Sequence, residues 1–166
     1  MSIENGPVGL DAITNPEVQS GLDYWRRLKG SRAFPSRQKI VPREMSGLLR
    51  NALLVRVLDG GEDYECIIFG EVHARAIQIN MQGGQLRDLN RVWPALADSL
   101  QKVYGQVVKT REPMAVRAVR EDCPGVNPIA SEHVVLPLGE SDYSVDHILV
   151  FSVYTPVTAP GESIAF

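Results

Sequence analysis

Apolar positions recur along the chain with two periods, and the change between them divides it. Val18, Leu22, Trp25 and Leu28 fall on one face at helical spacing, between Asn15-Pro16-Glu17 and Lys29-Gly30. Asparagine is a good cap, proline presets the first turn, an acid suits its positive end, and glycine is a stop. A shorter helix is expected after Pro42, with Met45, Leu48 and Leu49 on its apolar side. From Asn51 the pattern turns β-rich. Residues 52–58 and 63–70 predict a hairpin around Asp59-Gly60-Gly61-Glu62. A short helix is expected over 72–79, then a break at Gln82-Gly83-Gly84. A long helix begins near Asn90 or Trp93, because Pro94 fits only a first turn. It carries Val92, Trp93, Leu96, Leu100, Val103, Tyr104, Val107 and Val108 as an apolar stripe and ends before Pro113. Strands are expected over 114–121, 130–138 and 146–154, separated by Cys123-Pro124-Gly125 and Gly139-Glu140-Ser141-Asp142. A five-stranded antiparallel sheet with one long helix across its face satisfies this order, an α+β fold.

A chain of 166 residues suggests one domain, and 44% hydrophobic with 22% charged residues suits an ordinary folded chain. The formal net charge of −3 argues against a nucleic-acid partner, which usually requires a basic face. Two cysteines, Cys66 and Cys123, are too few for a disulfide scaffold or a cysteine-rich zinc site. Cys66 lies among apolar neighbours and reads as a small buried hydrophobe, Cys123 as an incidental loop thiol. The first ten residues show neither a basic nor an apolar targeting region, and no apolar run approaches the ~20 residues that span a bilayer, so the expectation is a cytoplasmic protein with no membrane partner. Residues 1–14 read as a flexible N-terminal arm, 15–50 as a helical extension, 51–154 as the main domain and 155–166 as a C-terminal tail too short for an effector.

Chemistry-bearing motifs are sparse. His73, His133 and His147 are scattered, without the spacing of a metal site. His133 and His147 are expected as neighbours across the Gly139 turn, a pairing that cross-strand packing explains without a metal. Neither a nucleophile elbow nor a phosphate-binding loop occurs, and Gly60-Gly61 and Gly83-Gly84 are isolated turn pairs, so no catalytic residues are expected and no enzyme. One stretch breaks the acidic average. Arg26, Arg27, Lys29, Arg32, Arg37, Lys39 and Arg43 occur without an intervening acid, either as a solvated face or as a patch for an anion or acidic partner. Val18, Leu22, Tyr24 and Trp25 form a stripe with two uses, packing on the sheet or meeting a second copy of the chain.

The element order resembles that of a PAS domain with an extra N-terminal helical segment. Tyr24-Trp25-Arg26-Arg27-Leu28, Phe34-Pro35-Ser36-Arg37 and Val41-Pro42-Arg43-Glu44-Met45 resemble the opening of small, mostly stand-alone bacterial PAS proteins. Gly70, Gly83-Gly84-x-Leu86-x-Asp88-Leu89, Thr110-Arg111-Glu112-Pro113, Leu136-Pro137-Leu138-Gly139 and Val145-Asp146-His147-Ile148-Leu149 extend the likeness over about residues 18–154. Two positions depart. Ile67-Ile68-Phe69-Gly70-Glu71 lacks the family's strand arginine and threonine, and Val41 stands where an aspartate usually caps the second helix. The resemblance implies a non-catalytic sensory or regulatory module in a signalling pathway, acting as a homodimer and through protein contacts, with a pure adaptor that binds no ligand, or an enzyme using the α+β cup, as the alternatives. It implies a core cavity for a small organic ligand, with Phe69, His73, Ile77, Leu89, Leu96, Leu100, Tyr104 and Val135 as lining candidates. No cofactor is expected. The long helix has no histidine for haem, leaving His73 as the only plausible axial ligand, and the cysteine motif of flavin photosensors is missing.

Overall fold

The structure, a computed structural model, describes residues 5–121, 128–159 and 162–163. Its strands are β1 (Gly6–Val8), β2 (Ala52–Leu58), β3 (Asp63–Phe69), β4 (Met114–Arg120), β5 (Ile129–Leu138), β6 (His147–Ala159) and β7 (Glu162–Ser163). Five of them form the expected antiparallel sheet, in the order β4-β5-β6-β2-β3. It is larger than expected. Residues 6–8, read from sequence as part of a loose arm, add β1 beside β4, and the tail extends β6 to Ala159 and supplies β7.

The helices are α1 (Pro16–Lys29), α2 (Glu71–Ile77), α3 (Leu86–Val92) and α4 (Pro94–Thr110). Of the two starts expected for the long helix, Asn90 or Trp93, the structure takes Trp93 as the N-cap of α4, and a separate helix, α3, ends there. Gln85 and Asp88 form a reciprocal capping box that starts α3 early, while Pro94 requires a fresh first turn. Val92, expected on the apolar stripe, is consequently exposed. The segment after Pro42 makes two short 3₁₀ turns, Pro42–Met45 and Leu49–Asn51, and Val41 supplies no side-chain cap. Gly70 ends β3 where a β-carbon would lie 2.7 Å from the Ala52 carbonyl oxygen and nearer still to that of Arg50.

Helices cover both faces of the sheet. Register assigns the rows, since successive strand residues point to opposite sides. Phe151 faces α1, which approaches so closely that only glycine fits at Gly21. Val18, Leu22, Tyr24 and Trp25 are buried against this face, and the Trp25 indole N–H donates to the Pro137 carbonyl at 2.9 Å. Of the two uses expected for the stripe, packing on the sheet is the one these contacts make, and 15–50 shares one core with 51–154. Glu132, 3% exposed, holds the start of α1. Its carboxylate accepts the Asn15 N–H at 2.9 Å, the Thr14 N–H at 3.1 Å and hydroxyl at 3.0 Å, and Arg117 Nε at 3.1 Å. Asn15 makes no side-chain cap; the carboxylate from β5 binds the N–H groups of Thr14 and Asn15 just ahead of the helix instead. Burial alone would raise the Glu132 pKa, but hydrogen bonds from Asn15, Arg117 and Thr14 outweigh it and hold the carboxyl below its ordinary value.

Candidate functional site

The opposite face of the sheet turns toward α2 and α4, and the two layers do not close completely. A cavity of about 140 Å³ remains between them. Its lining follows from register in three rows. Val135, Val150, Leu53 and Phe69 form an apolar row, Val116, His133 and Ser152 a second, and Ala118, Ser131 and Tyr154 a third. Ala76 and Ile77 of α2, Leu96, Ser99, Leu100, Val103 and Tyr104 of α4, and Trp93 complete it, with Ile129 and Arg120 one step beyond the third row. Arg120 is the charged lining residue and lies 5.9 Å from the Trp93 ring centroid.

Of the eight lining candidates, the structure brings Phe69, His73, Ile77, Leu96, Leu100, Tyr104 and Val135 to this cavity. Leu89 lies on a smaller cavity of about 50 Å³ behind Phe69, Ile77 and Leu100. Sequence reasoning missed His133, Ser131, Ser152 and Tyr154, although the signal was present. Once Val135 points inward, strand alternation puts His133 and Ser131 on the same face. His147 pairs instead with Leu138 and bonds Asp146 at 2.8 Å, so the expected His133–His147 neighbours are not neighbours. His73 and His133 converge, each ring 5.5 Å from that of Tyr154.

These polar groups bond to one another along the wall. His73 Nε2 lies 3.0 Å from the Asn51 carbonyl, which only accepts, so this nitrogen carries the proton. Burial drives the His73 pKa down to about 4, so the ring is neutral and its Nδ1 accepts from the Tyr154 hydroxyl at 2.9 Å. Burial, then the proximity of His73 and Arg120, lowers His133 to about 3 despite Glu132. His133 Nδ1 lies 2.5 Å from the Ser152 hydroxyl and Nε2 2.8 Å from that of Ser131, so the neutral ring donates to one and accepts from the other.

No carboxylate lines the cavity among the described residues, and no group of three or more metal-ligating side chains occurs among them. Both ring nitrogens of His73 are bonded within the protein, and a cavity of this size holds about one benzene ring. Cys66 is buried, and burial pushes its thiol up to about 12, which leaves it unreactive. Cys123 lies outside the described residues. The basic stretch is split in use. Arg32 pairs with Asp142 at 3.4 Å, Lys29 bonds the Arg32 carbonyl at 3.2 Å and Arg27 lies over the Tyr24 ring, whereas Arg26, Lys39 and Arg43 are exposed and Arg37 half-buried. No helix among the described residues is long and apolar enough to cross a membrane.

A sheet with helices on both faces and a cavity beneath its central strands defines a PAS-like α+β domain. The sequence profile of the PAS domain matches residues 13–151, and the chain belongs to that family. Among solved structures, a sensory box sensor histidine kinase from Vibrio cholerae is similar, with 15% identity, a TM-score of 0.46, and coverage of 70% of this chain and 92% of that one. Comparison with curated protein sequences finds no match.

Proposed function

We propose that this PAS domain is a non-catalytic sensory or regulatory module of the cytoplasm, in which a small molecule in the core cavity alters contacts made by the outer layer. One observation carries the reading. The cavity wall and the seat of α1 are opposite faces of the same two strands. His133 and Ser152 face the cavity, while their chain neighbours Glu132 and Phe151 hold α1. A ligand that displaces β5 or β6 at the cavity is thereby felt at α1, to the extent that it binds the two arrangements with different affinity. The outward face of α1, with Arg26 and Arg27 exposed, is the surface offered to a protein partner with an acidic face, a second copy of the chain being one case.

Native mass spectrometry of freshly purified protein, with hydrogen exchange of the α1 amides before and after ligand removal, tests this reading. The expected result is a reproducible bound mass whose loss increases exchange in α1. A bound mass without any change in α1 refutes the coupling. An empty cavity, with α1 unresponsive to added small molecules, favours the adaptor that binds none.

A further inference from the structure

Polar side chains on the cavity wall are already partnered, with one exception that bears on what a ligand must carry. His73, His133 and Tyr154 bond to groups of the wall or to backbone, and Ser131 and Ser152 each meet a nitrogen of His133. Ser99 donates to the Ala95 carbonyl at 3.0 Å, and Trp93 and Arg120 are engaged within the protein. Tyr104 differs. It lines the cavity from α4, is 3% exposed, and its hydroxyl has no hydrogen-bond partner among the described residues. The Tyr24 and Tyr64 hydroxyls also lack partners, but they are sealed from any open space, and that of Tyr104 is not. Its ring packs against that of Tyr64, centroids 5.1 Å apart, which holds the oxygen in place. Burial raises the Tyr104 pKa, so the oxygen keeps a proton that finds no acceptor in the protein, a costly omission inside a fold. Water does not supply one in the smaller cavity that Tyr104 also lines. A buried water needs about two to four polar partners, and there the Tyr64 hydroxyl is sealed and the Cys66 thiol is turned to the Ile68 carbonyl at 3.5 Å.

The larger cavity sets size and charge. About 140 Å³ lined mainly by apolar side chains takes one six-membered ring. A charged group would be buried there without a free counter-charge, because Arg120 is already engaged. A ligand hydroxyl would accept from Tyr104 but bring a second proton to place, whereas a carbonyl oxygen only accepts.

We infer that the cavity selects a neutral ring of about seven non-hydrogen atoms bearing one carbonyl, of the cyclic-ketone class, whose oxygen accepts from Tyr104 Oη. This rests on the sensory reading above and specifies its ligand. A purely apolar ring of the same size fills the space but leaves the Tyr104 proton unanswered.

The test uses cyclohexanone and methylenecyclohexane, which differ only in the oxygen or methylene joined to the ring by a double bond. Each is titrated into the full chain, wild type and Tyr104→Phe, and followed by the amide NMR shifts of residues around the cavity. The expected result is one-to-one binding of cyclohexanone that weakens about tenfold in Tyr104→Phe, while methylenecyclohexane binds both proteins equally. The infrared carbonyl stretch of bound cyclohexanone should lie lower in wild type than in the variant, which a merely structural role for Tyr104 would not produce. Tyr104→Phe breaks no hydrogen bond within the protein, so its Tm should be unchanged or higher; a lower Tm would show that the hydroxyl is used by the fold and overturn the assignment. Equal effects of Tyr104→Phe on both probes, or none on either, overturn the Tyr104 assignment and leave the sensory reading standing. Failure of both probes to bind, with a different bound mass retained by the purified protein, overturns the ligand class alone. Failure of both probes with no bound mass overturns the class and the sensory reading together.

Discussion

Gly21→Ala tests how α1 is seated. A β-carbon at position 21 would lie 2.9 Å from Phe151 Cβ, with Cγ and Cδ2 of the same ring closer still. Ordinary carbon contacts begin near 3.5 Å, so helix or ring must yield, and Phe151 is fully buried on a central strand. Two effects oppose each other. Alanine in a helix interior gains about 1 kcal/mol over glycine, whereas overpacking a closed interface costs about 1–3 kcal/mol, occasionally more. With two ring atoms and Cβ of Phe151 in the way and a strand behind them, the upper part of that range applies. The net destabilisation is then about 2 kcal/mol, or a Tm lowered by about 4–8 °C in a chain of this length. Thermal unfolding by circular dichroism measures it, and Phe151→Ala, which removes Cγ and Cδ2, supplies the control. In that background Gly21→Ala should cost less than in wild type, because the atoms it strikes are partly gone. An unchanged or raised Tm in the wild-type background, or an identical cost in both backgrounds, refutes the claim that Gly21 is a contact position.

Three further outcomes follow from the site and its frame. His73 is 2% exposed and has a pKa of about 4 in the fold against 6.5 unperturbed, so between those values only the unfolded chain holds the proton. Its contribution is therefore complete above pH 6.5 and declines as the pH falls toward 4, at about 1.4 kcal/mol per pH unit for a full proton; urea midpoints measured across this window should lose that slope in His73→Gln. Glu132 is depressed below 4.5 in the fold, so its contribution is present above 4.5 and is lost as the pH falls below it. Glu132→Gln should be less stable than wild type by about 2 kcal/mol at pH 7, with the gap narrowing in acid, and a pH-independent gap would contradict the charge assignment. Ala118→Leu fills part of the cavity and should raise Tm by about 2–4 °C, for about 1 kcal/mol; an unchanged or lowered Tm would show that the space is not there to fill.

Most of the frame was legible because local chemistry and tertiary context agree there. Residues 52–58 are a β-rich apolar run that ends in a glycine turn, and they form β2 over those same residues. Pro94 marks the start of α4 because it lacks an N–H to give. Misreadings occur where a distant group decides. Nothing near Asn15 announces that a carboxylate 117 residues away binds its N–H, and Gln85 is an unusual N-cap, so the start of α3 went unread. The His133–His147 pairing failed on register. Pairing of Leu138 with His147 leaves 139–146 as the connection, longer than the four-residue turn read from sequence, and this puts Ser152 opposite His133. The cavity wall was half legible for the same reason: helix and loop candidates need only periodicity, but Ser152 and Tyr154 become site residues only through the partner strand.

The short β1 has a consequence for the company this sheet can keep. An exposed strand edge is a template for any extended chain, and sheets of this size aggregate through it unless it is blunted. On one side the loop through Gly83 and Gly84 bonds both the N–H and the carbonyl of Cys66 on β3. On the other, Gly6–Val8 lies along Ala115–Arg117 of β4, and Arg117 clasps the Ala12 carbonyl to keep it there. Each flank of the sheet is thus sealed by the chain's own backbone, which directs association with other proteins to the helical surfaces. Loss of the first twelve residues would reopen β4, and the altered protein would be expected to add strands from its neighbours and form sheet-extended oligomers in place of its normal contacts.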